Sequence, residues 1–302
     1  MSTTEGLRNK IATAQELQSV VKTMKALSMV SIRQYEKAVQ SLAEYNHTLE
    51  MGLQVLLQRN QSSFATSDHP HAVHYGLVIL GSDQGMCGRF NELVAEEVQA
   101  FLRSQKTQYH RLIAVGERLV NRLQDQGETI ALKLSTPGSL AGITAVVYEI
   151  VQQLQQWCFP QGTLTDHPAQ LDQIHLIYNR PTGGAGYLTD TVQIFPLDQE
   201  WLRELQKRPW PSRCQPWVNL PTPHLWTALF RQIFFVSLYR ACAESLASEH
   251  ASRLAAMQQA ETNIAERLGD LQMDFQQLRQ SQITEELLDI VAGYESLKTT
   301  HS

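Results

Sequence analysis

Proline is absent from residues 4–59, where glycine occurs only at Gly6 and Gly52, and no proline follows Pro223 before the end at Ser302. Without the residues that break helices, a single helix can run through each stretch. Apolar runs are short: 75–81 and 233–238 fall well below the ~20 residues that a membrane-spanning helix requires. The first ten residues hold no apolar core of a signal peptide. The four cysteines, Cys87, Cys158, Cys214 and Cys242, show no C-x-x-C spacing, which argues against a zinc ribbon or a redox dithiol. Net charge is −5 without clustered Lys or Arg, so the footprint of a nucleic-acid binder is missing.

Both proline-free stretches carry a coiled-coil rhythm. In the first, Ser2 and Glu5 fit a capping box, and apolar or small residues recur at Leu7, Ile11, Ala14, Leu17, Val21, Met24, Ser28, Ile32, Tyr35, Val39, Leu42, Leu49, Leu53 and Leu56. Steps of three and four describe a narrow seam. In the second, Thr222 followed by Pro223 suggests an N-cap with proline at the first helical position. There Leu254, Met257, Glu261, Ile264, Leu268, Leu271, Phe275, Leu278 and Gln282 keep heptad register, with two polar interruptions, and the helix is expected to reach about 291–294. Some 70 helical residues would span roughly 100 Å, against a radius of gyration of about 19 Å for a compact chain of this size. Such a helix must project, and its seam needs a partner. The other long helix is the obvious one, paired antiparallel.

Residues 75–200 alternate short apolar runs (75–81, 111–115, 129–133, 174–178) with amphipathic stretches (91–102, 117–124, 140–157), a βαβ pattern with a mainly parallel sheet. A turn over 181–186 leads to a last strand at 191–196, and 60–74 and 201–223 read as connectors. The expected organisation is an N-terminal coiled-coil helix (1–60), a Rossmann-like α/β domain with connectors (61–223) and a C-terminal coiled-coil helix (224–302). The fold class is therefore α/β plus a long antiparallel α-helical coiled coil.

Chemistry is hard to find. The loop Gly81-Ser-Asp-Gln-Gly-Met-Cys-Gly-Arg-Phe-Asn91 follows a strand and precedes a helix, where phosphate loops sit. Its spacing nevertheless fits neither G-x-G-x-x-G nor G-x-x-x-x-G-K-[ST]. A structural loop with a buried Cys87 thiol suits it better. His69, His71 and His74 lie in a connector with no rigid element to fix a metal geometry, and His250 reads as a packed helical residue. No paired carboxylates and no Ser/His/Asp set emerge. At the far end Ile283, Leu287, Leu288, Ile290 and Val291 cover much of the helix circumference, as expected of a helix surrounded on several sides, and a socket formed by other subunits would explain them.

These residues resemble the γ subunit of F-type ATP synthases. The resemblance rests on 7–12 (LRNKIA) and 22–25 (KTMK), on the loop 82–91 beside the signature S-D-[RK]-G-L-C-G-G-[FL]-N, and on 238–241 (LYRA), 244–253 (ESLASEHASR) and 279–291 (RQSQITEELLDIV). It implies a non-catalytic central rotor shaft that turns inside a ring of α and β subunits, with its α/β domain against the ε subunit and the membrane c-ring. It implies no cofactor and no metal, and a peripheral place on the cytoplasmic face of a bacterial membrane. By resemblance Met24 and Lys25 face the lower part of β. Arg279 and Gln280 match positions that engage β loops, with Thr284 and Glu286 nearby, and Ile283, Leu287, Ile290 and Val291 form the bearing. Gln84, Arg89 and the run 28–33 (SMVSIR) depart from the family pattern, a divergence that would suit an alternate-operon form.

Overall fold

The computed structural model describes residues 3–59, 74–105, 110–158, 171–183, 186–210, 214 and 219–299. They fall into two compact units: 28–253, and a smaller one made of the start of the chain to Leu27 with the segment from Leu254 onward.

Helix α1 runs Thr4–Arg59. Thr3 begins it: its Oγ1 accepts the Gly6 N–H at 3.2 Å and its carbonyl the Leu7 N–H at 3.0 Å. Ser2, expected in that role, lies outside the described residues. The large unit is built around a five-stranded sheet in the order β3-β2-β1-β4-β5. Strands β1 (Tyr75–Leu80), β2 (His110–Val115), β3 (Ile130–Leu134) and β4 (Gln173–Gly183) are parallel, and β5 (Gly186–Phe195) returns antiparallel to β4. The helices between them are α2 (Phe90–Gln105), α3 (Glu117–Asp125) and α4 (Leu140–Cys158). The last two strands are longer than the apolar runs suggested.

The reason β1 reads as unbroken apolar sequence is that both of its faces are covered. Tyr75, Leu77 and Ile79 enter a core with α2 and α3, while Val78 and Leu80 enter a second core with α4, Tyr35 of α1 and residues 238–247 of α6. Helix α6 spans Thr222–Thr299. It opens one residue earlier than the cap reading, with the Pro221 carbonyl accepting the Leu225 N–H at 3.1 Å. Within this unit α1 and α6 run antiparallel: the space a Cβ on Gly52 would take is bounded by Leu229, and the Tyr35 ring stacks on His250.

The connector expected over 201–223 contains a helix, α5 (Gln199–Lys207), capped by Asp198, whose carboxylate accepts the Glu200 N–H at 2.8 Å. Leu205, Trp201 and Leu202 seal a third core against Leu49, Leu53, Ile233 and Val236. One glycine is demanded by geometry. Gly116 links β2 to α3 at φ +108°, and a Cβ there would meet the Ser82 nitrogen at 2.6 Å.

Candidate functional site

The loop between β1 and α2 closes on itself. Asn91 accepts the Ser82 N–H at 2.9 Å and donates to Ser82 Oγ at 2.8 Å, and that hydroxyl donates to the Gln84 carbonyl at 2.8 Å. Asp83 takes the backbone N–H of Glu117 at 2.8 Å and of Thr136 at 2.9 Å, joining the loop to the start of α3 and the end of β3. Its outer contacts are made by carbonyls: Ser252 Oγ donates to Cys87 C=O at 2.5 Å, and Arg253 Nη2 lies 3.5 Å from Gly85 C=O. A phosphate site needs converging N–H donors, whereas this loop directs acceptors at side chains of α6. Burial pushes the Cys87 thiol up from its ordinary value, which disfavours the thiolate a nucleophile needs. The loop is a structural element.

Beneath it, Glu249 and Arg253 form a buried ion pair at 2.6 Å, one helical turn apart. Burial raises the Glu249 carboxyl, against the lowering effect of Arg253. The neighbouring His250, stacked on Tyr35, is lowered to about 4 by burial and by the Arg253 charge, so it stays neutral near pH 7. The unfolded chain protonates this histidine near its ordinary pKa of about 6.5 while the folded chain does not, so the stability linked to His250 is complete above 6.5. It is lost as pH falls toward 4, by up to about 2 kcal/mol for a ring only partly withdrawn from water. Glu249 acts in the opposite sense. Denaturant unfolding from pH 7 to 4.5 is expected to show a shallower pH slope for His250→Gln than for the unsubstituted chain.

The small unit is a helical pair. Residues Leu7, Val21, Met257, Leu268 and Leu271 are buried. The strict spacing of α1 places Gln18 and Lys25 on the seam, and Leu17, expected there, is 53% exposed. Leu17 instead joins Val20 and Leu27 in an exposed apolar stripe on α1 that the sequence reading did not separate from the seam. Lys25 Nζ lies 2.8 Å from Glu261 Oε2, one of the two polar interruptions of the α6 seam. The pair fills a position where apolar residues are usual, and such polar seam residues specify register. The Lys25 ammonium and its Lys22 neighbour hold the Glu261 carboxyl below its ordinary range, with the Lys25 hydrogen bond the main cause. Met24 is partly buried beside it.

Every residue of α6 from Arg279 to Ala292 is exposed. At 100° per residue, Ile283, Leu287, Ile290 and Val291 fall on an arc of about 100°, with Gln280 within it and Arg279, Thr284 and Glu286 at its edges. Leu288 lies about 60° beyond it, so the five apolar residues span about 160° of the circumference. Exposure reaches 68% at Ile290 and 58% at Leu287. The Thr284 hydroxyl donates to the Gln280 carbonyl at 2.9 Å. The structure thus brings eight of the ten candidate residues onto one face of α6 and places Met24 and Lys25 on α1, with Lys25 engaged within the chain. Among the described residues no group of three or more His, Cys, Asp and Glu side chains could hold a metal ion. His69 and His71 lie outside those residues; His74 Nδ1 is 3.5 Å from Asp172. No described helix is long and apolar enough to cross a membrane.

Comparison with known proteins accords with this arrangement. The chain is 23% identical over 304 residues to the ATP synthase gamma chain of Bdellovibrio bacteriovorus, covering 99% of this chain and 100% of that one. It is 26% identical over 309 residues to the gamma chain of Anaeromyxobacter sp., again covering 99% and 100%. Its fold is similar to a chain in the rotor of the Euglena gracilis mitochondrial ATP synthase, with TM-score 0.60 and 14% identity over 93% of this chain and 98% of that one. The family model described as ATP synthase matches residues 3–297. With nearly every residue inside that match, and gamma chains aligning from end to end, this chain belongs to the ATP synthase family as a relative of its gamma chains.

Proposed function

We propose that the chain is the central-stalk rotor (gamma) subunit of an F-type ATP synthase. It carries torque between the ion-driven membrane ring and the catalytic α/β hexamer and performs no chemistry itself. The observation that carries this reading is the exposed stripe of Ile283, Leu287, Ile290 and Val291 on a helix whose preceding turns are paired, in a chain that aligns throughout with gamma chains. An apolar stripe rimmed by polar groups marks a surface that another protein covers. On this reading the tip seats in the α/β ring, with Arg279, Gln280, Thr284 and Glu286 contacting β loops. Met24 and the exposed stripe of α1 face the lower part of β. Lys25 acts there by holding Glu261 rather than by reaching out. The α/β domain meets the ε subunit and the c-ring, which puts the chain peripherally on the cytoplasmic face of the membrane.

Affinity purification of the chain from its source is expected to bring down α and β together. Recovery without them would end the rotor reading. In the assembled complex, Arg279→Ala with Gln280→Ala is expected to impair coupling of ATP turnover to ion movement. Normal turnover and coupling would remove these two residues from the contact.

A further inference from the structure

From Ala241 to Glu249 and from Ala251 to Arg253 every residue of α6 is buried. A helix enclosed on all sides is normally apolar throughout, yet this one includes Glu244, Ser245, Ser248, Glu249, Ser252 and Arg253. Glu249 pairs with Arg253 inside α6, whereas the bonds of Glu244, Ser252 and Arg253 lead to particular places in the α/β domain. Tyr178 of β4 donates its hydroxyl to Glu244 at 2.8 Å, and Arg240 holds the other carboxylate oxygen at 2.8 Å. Two turns further on, Ser252 donates to the Cys87 carbonyl and Arg253 reaches toward that of Gly85, both in the β1–α2 loop. The loop is itself fixed to α3 and β3 through Asp83. Between Glu244 and Ser252 the apolar residues are Leu246, Ala247 and Ala251, and Ala241 and Ala243 precede them.

We infer that this segment is a keyed joint, in which Glu244–Tyr178 and Ser252/Arg253–loop bonds stop α6 from turning within the α/β domain. The inference rests on the rotor reading, because only a chain under torque needs such keys. Apolar burial is non-directional, and a segment in which alanine and serine predominate, with Leu246 as the one large apolar residue between the bonds, offers little relief to resist sliding. Hydrogen bonds are directional and short. A side-chain atom about 5–6 Å from the helix axis moves about 1 Å for 10° of slip, enough to break a 2.8 Å bond. Keys near both ends of the buried segment, on different elements of the domain, resist rotation where one alone would act as a pivot. Tyr178, Glu244, Ser252 and Arg253 are thus positioning residues for torque transfer.

The test uses the complete complex in ion-tight vesicles, comparing the unsubstituted chain with Tyr178→Phe plus Ser252→Ala. The double variant is expected to assemble and hydrolyse ATP, while ions moved per ATP fall at least about twofold and the thermal angular spread of a probe on the α/β domain widens about twofold, as two directional bonds are lost. Glu244→Gln keeps one amide oxygen for Tyr178 while giving up the oxygen that Arg240 holds, and is expected to fall closer to the unsubstituted chain than to the double variant in both readouts. Should the double variant not assemble, Tyr178→Phe alone is measured in the same way and is expected to widen the angular spread. Unchanged coupling and angular spread, even with a lowered melting temperature, would make the segment a packing feature and overturn the joint alone. Failure of the unsubstituted chain to co-assemble with the α/β ring would overturn the rotor reading and the joint with it.

Discussion

Arg253→Leu is expected to lower the unfolding free energy by about 3–5 kcal/mol, the usual cost of leaving one charge of a buried pair without its partner. Glu249 would remain enclosed in α6, its carboxyl already raised by burial, without the one ion-pair partner it has among the described residues. At neutral pH the deficit is at its greatest. With Arg253 removed the native carboxyl titrates higher still, so the folded state binds a proton that the unfolded chain takes up only near ordinary glutamate values. The deficit therefore shrinks as pH falls through the raised native pKa. Adding Glu249→Leu is expected to restore most of the loss, since apolar replacement of a complete buried pair is often neutral or stabilising. Urea unfolding of the three chains at pH 7 and pH 5 checks both statements. A deficit that does not depend on pH, or that the second substitution leaves unchanged, would mean that Arg253 acts through its Gly85 contact instead.

The second large effect concerns assembly rather than folding. Changing Ile283, Leu287, Ile290 and Val291 together to serine is expected to leave the melting temperature of the isolated chain unchanged within error, because all four are exposed. In the complex each fully buried apolar side chain contributes about 1.5–3 kcal/mol. Losing even 3 kcal/mol in all weakens binding to the α/β ring on the order of 100-fold. Titrating the chain into purified ring subunits separates the outcomes. Unchanged affinity would place the bearing elsewhere, and a lowered melting temperature of the free chain would show that the stripe already packs within it.

The long helices were legible from sequence because they depend on local rules. The absence of proline and the step of three and four locate α1 to within a few residues at each end, and buried β1 follows from an unbroken apolar run. Leu17 and Met24 stand one residue off the strict spacing, whose positions fall on Gln18 and Lys25: there periodicity outranks hydrophobicity. Helix α5 had a usable signal in Asp198 as cap and Trp201, Leu202 and Leu205 on one side, concealed by the prolines and tryptophans around it. The partners of the α6 seat were not readable at all. Ser252 meets a backbone carbonyl, which leaves no trace in a side-chain pattern, and Glu244 and Tyr178 are brought together only by the sheet order. In the same way the sequence marked Lys25 as a candidate for an external contact, since nothing local indicates that Glu261 stands opposite.

The seam of α1 also has a handedness. From Leu7 to Leu56 the seam positions advance by 3.5 residues on average, slightly less than the 3.6 of a straight helix, and a repeat of this kind winds paired helices into a left-handed rope. A rope twisted along its winding tightens, and twisted against it slackens.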